Sequence, residues 1–182
     1  AALAFASGYA AALGTVPALV GPGDVVIVDK LVHACLVDAA RLSGAQLRVF
    51  PHNDLGRLER LLQWAERQEG PPQAGEPPRP PHVLVITESV FSMDGDRAPL
   101  REMAELKDRF GAWLMVDEAH ATGLYGTHRR GGAEAAGVAD RIEVHMGTLG
   151  KALGAAGGFI AGSRILIDYL LNKARSFIFS TA

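Results

Sequence analysis

Cysteine, lysine, aromatic residues and long apolar runs are all scarce in this sequence. The single cysteine, Cys35, excludes an internal disulfide, so we expect a reducing, cytoplasmic compartment. The formal net charge is only -2, which does not indicate a surface that binds nucleic acid. No apolar run approaches the roughly 20 residues of a membrane-spanning helix, so no membrane partner is expected. The 182 residues, 48% of them hydrophobic, suffice for one domain with a buried core.

Short, continuously apolar runs alternate with segments of helical spacing. The runs at 25–28, 83–86 and 113–116 have the composition of buried strands. This alternation predicts an α/β domain whose mostly parallel sheet has helices on both faces. The predicted strands are 25–28, 46–50, 83–86, 113–116, 142–146 and 157–161. One predicted helix begins near Gly8, and the other predicted helices cover 33–43, 55–68, 99–110 and 163–174.

A proline-rich segment at 70–81 interrupts this pattern. Its prolines exclude both a helix and a central strand. The alternation resumes afterwards, which favours a surface insertion over a domain boundary. The chain starts without a methionine inside one apolar segment and stops just after another, so we expect residues 1–182 to be a fragment of a longer polypeptide.

Two motifs lie at predicted carboxyl ends of strands, where ligands gather in parallel sheets. Segment 116–120 reads Val-Asp-Glu-Ala-His, and segment 147–151 reads Gly-Thr-Leu-Gly-Lys. Pyridoxal phosphate requires an amine for its aldehyde, a carboxylate for its pyridine nitrogen, and donors for its phosphate and phenolate oxygens. The motifs therefore predict a pyridoxal-phosphate site with Lys151 as the amine and Asp117 as the carboxylate. Taken singly, Lys151 could be a solvated surface lysine and Asp117 a helix cap.

The remaining candidate contacts are weaker one by one. Thr148 and the backbone amides at Gly8 and Tyr9, where a helix begins, are candidates for the phosphate. His120 could donate to the phenolate oxygen, and His33 could stack on the ring. Ser92, in the segment Val-Phe-Ser-Met-Asp-Gly, is ambiguous in isolation, and each histidine could equally be structural or simply exposed. The interpretation depends on all of them sharing one sheet edge.

Other chemistries fit less well. Asp-Glu-Ala-His also occurs in helicases, but those need a phosphate loop in which serine or threonine follows the lysine, whereas Ala152 follows Lys151 here. His120, His128 and His145 have no close paired spacing and no second cysteine beside them, so no metal site is predicted. A serine hydrolase would need a Gly-x-Ser-x-Gly elbow, which the sequence lacks.

Six motifs together resemble the α-oxoamine synthase family of pyridoxal-phosphate enzymes, along essentially the whole chain. The resemblance implies the large-domain core of the aspartate-aminotransferase-like fold (fold type I), without the family's N-terminal segment and C-terminal small domain. The family usually has an asparagine at the place of Ala12, and a shorter segment at 70–81. The motifs are Ser-Gly-Tyr at 7–9, Leu-Val-His-Ala at 31–34, Pro-His-Asn-Asp at 51–54, Thr-Glu-Ser-Val-Phe-Ser-Met-Asp-Gly at 87–95, and the segments 116–123 and 147–151.

The resemblance also implies roles for the site residues. Lys151 would bind the cofactor covalently and Asp117 would pair with the pyridine nitrogen. His33 would stack on the ring and contact substrate. The remaining cofactor contacts would come from Gly8, Tyr9, Ser92, His120 and Thr148.

The implied activity is a decarboxylating condensation of an amino acid with an acyl-CoA, in a homodimer with active sites at the subunit interface. Within this resemblance, the motif Asp-Glu-Ala-His-Ala-Thr-Gly favours L-alanine and a pimeloyl thioester, the pair used in biotin synthesis. Glycine with acetyl-CoA is the alternative within the family. A non-catalytic scaffold with the same fold is the alternative outside enzymes.

Overall fold

The computed structural model describes residues 1–70 and 79–180. Its strands are β1 (Ala2–Phe5), β2 (Val25–Asp29), β3 (Gln46–Phe50), β4 (Val83–Glu88), β5 (Trp113–Asp117), β6 (Val144–Thr148) and β7 (Gly158–Gly162). They form one seven-stranded sheet in the order β1-β7-β6-β5-β4-β2-β3. Strands β2 to β6 pair in parallel, whereas β7 is antiparallel to both β6 and β1. The predicted mostly parallel sheet is confirmed.

Helices connect the parallel strands, as such crossovers require. They are α1 (Gly8–Leu19), α2 (Ala34–Leu42), α3 (Leu55–Ala65), α4 (Leu100–Arg109), α5 (Gly132–Ala135), α6 (Arg164–Lys173) and α7 (Arg175–Ile178), with a 3-10 turn at Ala139–Arg141. Ser7, Asp54 and Ser163 cap α1, α3 and α6 by accepting a backbone N–H three residues on. Within the described ranges, none of the helices has the length and apolar character needed to cross a membrane.

Helices cover both faces of the sheet. Helices α1, α2 and α6 pack on the face that carries Val26 and Val28, and α3 and α4 pack on the face that carries Val25 and Ile27. Because successive side chains of a strand point to opposite faces, burial on both sides explains why β2 is apolar without alternation. Each fully buried aliphatic side chain contributes roughly 1.5–3 kcal/mol to stability.

The structure departs from the predicted elements chiefly in three places. Helix α3 ends at Ala65, not at 68, and β6 covers Val144–Thr148, not 142–146, because a 3-10 turn precedes Ile142. Strand β1 was not predicted. It is four residues long at the sheet edge, and its composition does not distinguish it from the alanine-rich helix that follows.

Residues 71–78 of the predicted insertion lie outside the described part of the chain. At the base of that segment, the Gly70 N–H donates to the Arg79 carbonyl at 2.8 Å. A β-carbon at Gly70 would lie 2.7 Å from that carbonyl oxygen, so only glycine allows this approach. The Arg79 guanidinium also pairs with the buried Asp24 at 3.0 Å.

Candidate active site

The carboxyl ends of three adjacent parallel strands meet at one edge of the sheet. Glu88 ends β4, Asp117 ends β5 and Thr148 ends β6. The register pairs Glu88 with Asp117, so their side chains leave the sheet on the same face. This is the edge at which the two sequence motifs are expected to meet.

Asp117 is a buried carboxylate with few hydrogen-bond partners within the protein. It is only 4% exposed, and its Oδ1 accepts the backbone N–H of Ala119 at 2.9 Å. Burial raises the pKa of Asp117 to about 6, while the Ala119 N–H and the nearby charge of Lys151 oppose that rise. A carboxylate in this setting gains from a cationic partner arriving from the open side.

Lys151 and His120 meet above this edge. The Lys151 Nζ lies 2.8 Å from the His120 Nε2, although 31 positions separate the two residues. Burial, Lys151 and His33 together lower the pKa of His120. The imidazole is therefore neutral near pH 7, and its Nε2 can accept a hydrogen bond from the lysine amine.

Helix α1 begins beside the end of β6. A β-carbon built on Gly8 would lie 3.8 Å from the Thr148 Cβ. Ser7 caps the helix through the Ala10 N–H, and no protein acceptor within residues 1–70 and 79–180 takes the N–H groups of Gly8 and Tyr9. Free N–H groups at a helix start form an anion site when charged or hydroxyl groups converge on them.

The Thr148 and Tyr9 hydroxyls are already engaged within the protein. The Thr148 Oγ1 donates to the Gly157 carbonyl at 3.1 Å and accepts the Gly150 N–H at 3.2 Å, which fixes the loop that leads to Lys151. The Tyr9 hydroxyl donates to Asp38 at 2.5 Å, which ties α1 to α2. At Tyr9 the backbone N–H thus remains available, whereas the hydroxyl is committed to Asp38.

His33 caps α2. Its Nδ1 accepts the Cys35 N–H at 3.2 Å, which leaves the ring proton on Nε2. Its backbone N–H donates to the Glu88 carboxylate at 2.5 Å. His33 also acts electrostatically on both Asp117 and His120, so the structure brings these three predicted residues together.

Ser92 and Ala12 are placed differently from that group. The Ser92 side chain is exposed, and its backbone N–H opposes the rise in the pKa of Glu88. Ala12 is fully buried on α1 and belongs to the apolar core. The position at which the family usually has asparagine is therefore part of the packing against the sheet in this chain.

Two buried carboxylates are not among the site residues predicted from the sequence. Glu88 is 1% exposed, and burial followed by Asp117 raises its pKa to about 7. Glu118 accepts hydrogen bonds from Ser89, Gly132 and Ala133 and thereby fixes the loop after β5. The strand-end position of Glu88, identical to that of Asp117, was the available signal for it.

The side chains present fit pyridoxal phosphate. The described residues place an amine, a buried carboxylate without a full set of partners, a neutral imidazole and a free helix N-terminus at one edge. A β-carbon at Gly158 would lie 2.6 Å from the Gly8 nitrogen, so the approach of β7 to the start of α1 requires glycine.

Comparison with known proteins agrees with this geometry. The family model "Aminotransferase class I and II" matches residues 1–182. The chain belongs to this family. An 8-amino-7-oxononanoate synthase from Geobacter metallireducens is 57% identical over 182 residues, and the chain spans 44% of that protein. The chain thus covers less than half the length of such curated relatives.

Solved structures give the same fold. A serine palmitoyltransferase variant from S. paucimobilis with bound PLP–myriocin aldimine superposes with a TM-score of 0.88 at 34% identity, over all of this chain and 43% of that one. An 8-amino-7-oxononanoate synthase from Francisella tularensis gives 0.79 at 29% identity, over all of this chain and 48% of that one. The predicted fold type I core and the resemblance to α-oxoamine synthases are confirmed.

Proposed function

We propose that this chain is the central part of the large domain of a pyridoxal-phosphate-dependent 8-amino-7-oxononanoate synthase, with 70–81 as a surface insertion. The observation that carries the proposal is the meeting of Lys151, His120 and buried Asp117 at adjacent strand ends. The relatives' names support the same activity. They do not favour the glycine-and-acetyl-CoA alternative.

The cofactor would be held at three points. Asp117 would face the pyridine nitrogen, and Lys151 would hold the aldehyde carbon. The N–H groups of Gly8 and Tyr9 would contact the phosphate, and the Thr148 hydroxyl would turn from the Gly157 carbonyl to donate to it. When bound, pyridoxal phosphate would supply an electron-withdrawing ring that stabilises negative charge on the substrate Cα.

Side chains of this chain then supply a fixed negative charge and a base for proton transfer. Asp117, with a pKa of about 6, is ionised above pH 7 and keeps a proton on the ring nitrogen. The Lys151 Nζ is the base that takes the proton from the amino acid Cα. His120, neutral and 2.8 Å from that nitrogen, accepts its hydrogen bond and orients it. The Nε2 proton of His33 is free to donate to substrate.

The complete protein would condense L-alanine with a pimeloyl thioester and release carbon dioxide, in the cytoplasm and as a homodimer. A neutral His120 beside the Lys151 amine suits a step in which the amine takes a proton from the substrate. The exposed side of the Lys151 loop is the side from which an acyl thioester would approach.

Absorbance spectroscopy of the full-length protein tests the cofactor role. The wild type should bind pyridoxal phosphate with the near-visible absorbance of a lysine-bound cofactor, and borohydride should fix the cofactor to the protein. Lys151→Ala should abolish both signals. Lys173→Ala, which changes an exposed lysine at the end of α6, is the matched control and should keep them.

Two results would contradict the proposal. Borohydride fixation that persists in Lys151→Ala would assign the amine to another lysine. A wild type without any bound cofactor would identify a non-catalytic scaffold.

A panel that crosses alanine, glycine and serine with short, medium and dicarboxylic acyl-CoAs then tests the substrate pair, and preference for glycine with acetyl-CoA would exclude the synthase activity.

A further inference from the structure

A second charged cluster lies next to the candidate active site and is not needed for cofactor chemistry. The imidazole of His52 stands between two carboxylates: its Nδ1 is 3.0 Å from the Asp29 Oδ1, and its Nε2 is 2.6 Å from the Asp96 Oδ2. Asp29 ends β2, and Asp96 lies in the turn before α4. The ring of Phe91 packs against the imidazole edge-to-face at 4.4 Å.

The geometry determines the charge of His52. A neutral imidazole has one N–H donor and one acceptor nitrogen, and a carboxylate offers only acceptors. Both ring nitrogens of His52 face carboxylate oxygens. The Asn53 amide also lies 3.2 Å from the Nε2, but Asp96 and the Arg97 carbonyl accept its two N–H groups, so both ring nitrogens carry a proton. No other cation compensates the pair among the described residues, because the remaining contacts of Asp29 and Asp96 are with backbone N–H groups and the amide of Asn53.

Asp29 and Asp96 are the charged groups that face the ring, and Phe91 adds only an apolar edge. Partial burial alone would lower the pKa of His52, but the hydrogen bonds to the two carboxylates outweigh burial and raise it above the usual value. This direction agrees with the charge that the geometry requires.

Asp29 organises the turn that leads to His33. Its Oδ1 also accepts the Leu31 N–H at 2.8 Å, and its Oδ2 accepts the Asn53 N–H at 2.8 Å. Asn53 has a φ of 56°, a left-handed conformation that asparagine adopts more readily than most residues. This conformation directs the Asn53 N–H towards Asp29.

Asp96 organises the turn that contains Ser92. The Asp96 carbonyl accepts the Phe91 N–H at 3.0 Å, and the Phe91 carbonyl accepts the Gly95 N–H at 2.9 Å. His52 thus connects the turn before His33 with the turn around Ser92. Both turns border Glu88, which accepts the backbone N–H of His33 at 2.5 Å and whose raised pKa is opposed by the backbone N–H of Ser92.

We infer that His52 is a positioning residue: as an imidazolium between Asp29 and Asp96, it locks the turn that places His33 at the cofactor pocket to the neighbouring turn that contains Ser92. The inference rests on the proposed function for the pocket. The charged bridge itself rests only on the geometry of His52, Asp29 and Asp96.

Histidine-selective nitrogen-15 NMR on the full-length protein tests the bridge directly, with the His52→Gln spectrum as the assignment control. His52 should show two protonated ring nitrogens at pH 7, where a free histidine is mostly neutral. A His52 signal that titrates at or below pH 6.5 would overturn the bridge, whatever the protein's activity.

Cofactor titration tests the positioning role. His52→Gln should weaken pyridoxal-phosphate binding about tenfold, the loss expected for one charge-assisted hydrogen bond. His128→Gln is the matched control, because His128 also contacts a carboxylate, Glu134, but is 67% exposed and lies outside the cluster. Its affinity should stay within about twofold of the wild type.

Asp96→Asn removes only the negative charge of the side chain. It is the second test variant, for use when His52→Gln does not fold. An asparagine can donate to or accept from His52, so a neutral imidazole satisfies both neighbours. This variant should weaken cofactor affinity less than His52→Gln does, while the NMR titration of His52 moves to lower pH. Affinity within twofold of the wild type in His52→Gln, or an unmoved titration in Asp96→Asn, would refute the positioning role.

Failure of the wild-type protein to bind pyridoxal phosphate would refute both the proposed function and the positioning role of His52. The NMR titration would still decide whether the charged bridge exists. Failure of the pocket assignment is therefore distinguishable from failure of the bridge.

Discussion

Glu88 and Asp117 are register partners on β4 and β5, and both carboxylates are buried, 1% and 4% exposed, at the same end of the sheet. Burial raises the pKa of both acids, and the charge of Asp117 raises the pKa of Glu88 further. Without a cationic ligand at the pocket, the sheet edge therefore becomes less stable as the pair ionises.

Glu88→Gln should stabilise the cofactor-free protein above pH 7. The folded-state pKa of Glu88 is raised from 4.5 to about 7, so its stabilising contribution is complete below pH 4.5 and is lost as pH rises through 7. Glutamine keeps an acceptor for the backbone N–H groups but cannot ionise, and we expect a gain of up to about 3 kcal/mol. Denaturant unfolding from pH 4.5 to 8 measures it. Glu105→Gln, an exposed position on α4, is the control, and equal pH profiles for all three proteins would refute the assignment.

Gly158→Ala should disturb the start of α1. The added methyl group would lie 2.6 Å from the Gly8 nitrogen, and such overpacking costs about 1–3 kcal/mol. The melting temperature should fall, and phosphate-dependent cofactor binding should weaken. Gly21→Ala is the control, because its nearest neighbour would be 4.0 Å away. An unchanged dissociation constant in Gly158→Ala would separate this helix end from the phosphate.

Cys35 should resist thiol reagents in the folded protein. Burial, followed by the charges of Asp117 and Glu88, raises the pKa of Cys35 to about 12, so little reactive thiolate exists at pH 8. A disulfide reagent that releases a coloured thiolate measures its rate of reaction in native and denaturing buffer. Subtracting the signal of Cys35→Ser isolates this residue. Rapid native labelling would contradict the buried position.

Lys107→Ala should destabilise the protein by about 2–3 kcal/mol. The lysine side chain is 7% exposed and contacts Asp108 at 2.7 Å and Glu143 at 2.5 Å. Its removal leaves Glu143 without a cation next to the start of β5. Arg109→Ala breaks an exposed pair with Glu59 and should cost less than about 1 kcal/mol. Chemical denaturation measures the free energy of unfolding of both variants. Equal losses would show that burial does not strengthen the ion pairs of Lys107.

The central strands were predictable because they are buried on both faces. Runs such as 83–86 and 113–116 need no alternation, and their carboxyl ends placed Asp117 and Thr148 correctly at one edge. Strand β1 was not predictable from its four residues, because it is defined by its antiparallel pairing with β7, far along the chain.

The contacts between the candidate residues were harder to predict than the strands. Nothing in the local sequence pattern indicates that β4 lies beside β5, so the pairing of Glu88 with Asp117 was not predictable. His52 likewise reaches Asp29 and Asp96 across 23 and 44 positions. No local periodicity encodes contacts of that range. Such clusters follow from strand order, which a single sequence specifies only weakly.

The hydrogen bond between Gly70 and Arg79, together with the Arg79–Asp24 ion pair, closes the chain just before β4. We infer that this closure fixes the register of β4 whatever the number of residues that join its two sides. An affinity tag or fluorescent reporter spliced in at this place should therefore leave the sheet unchanged.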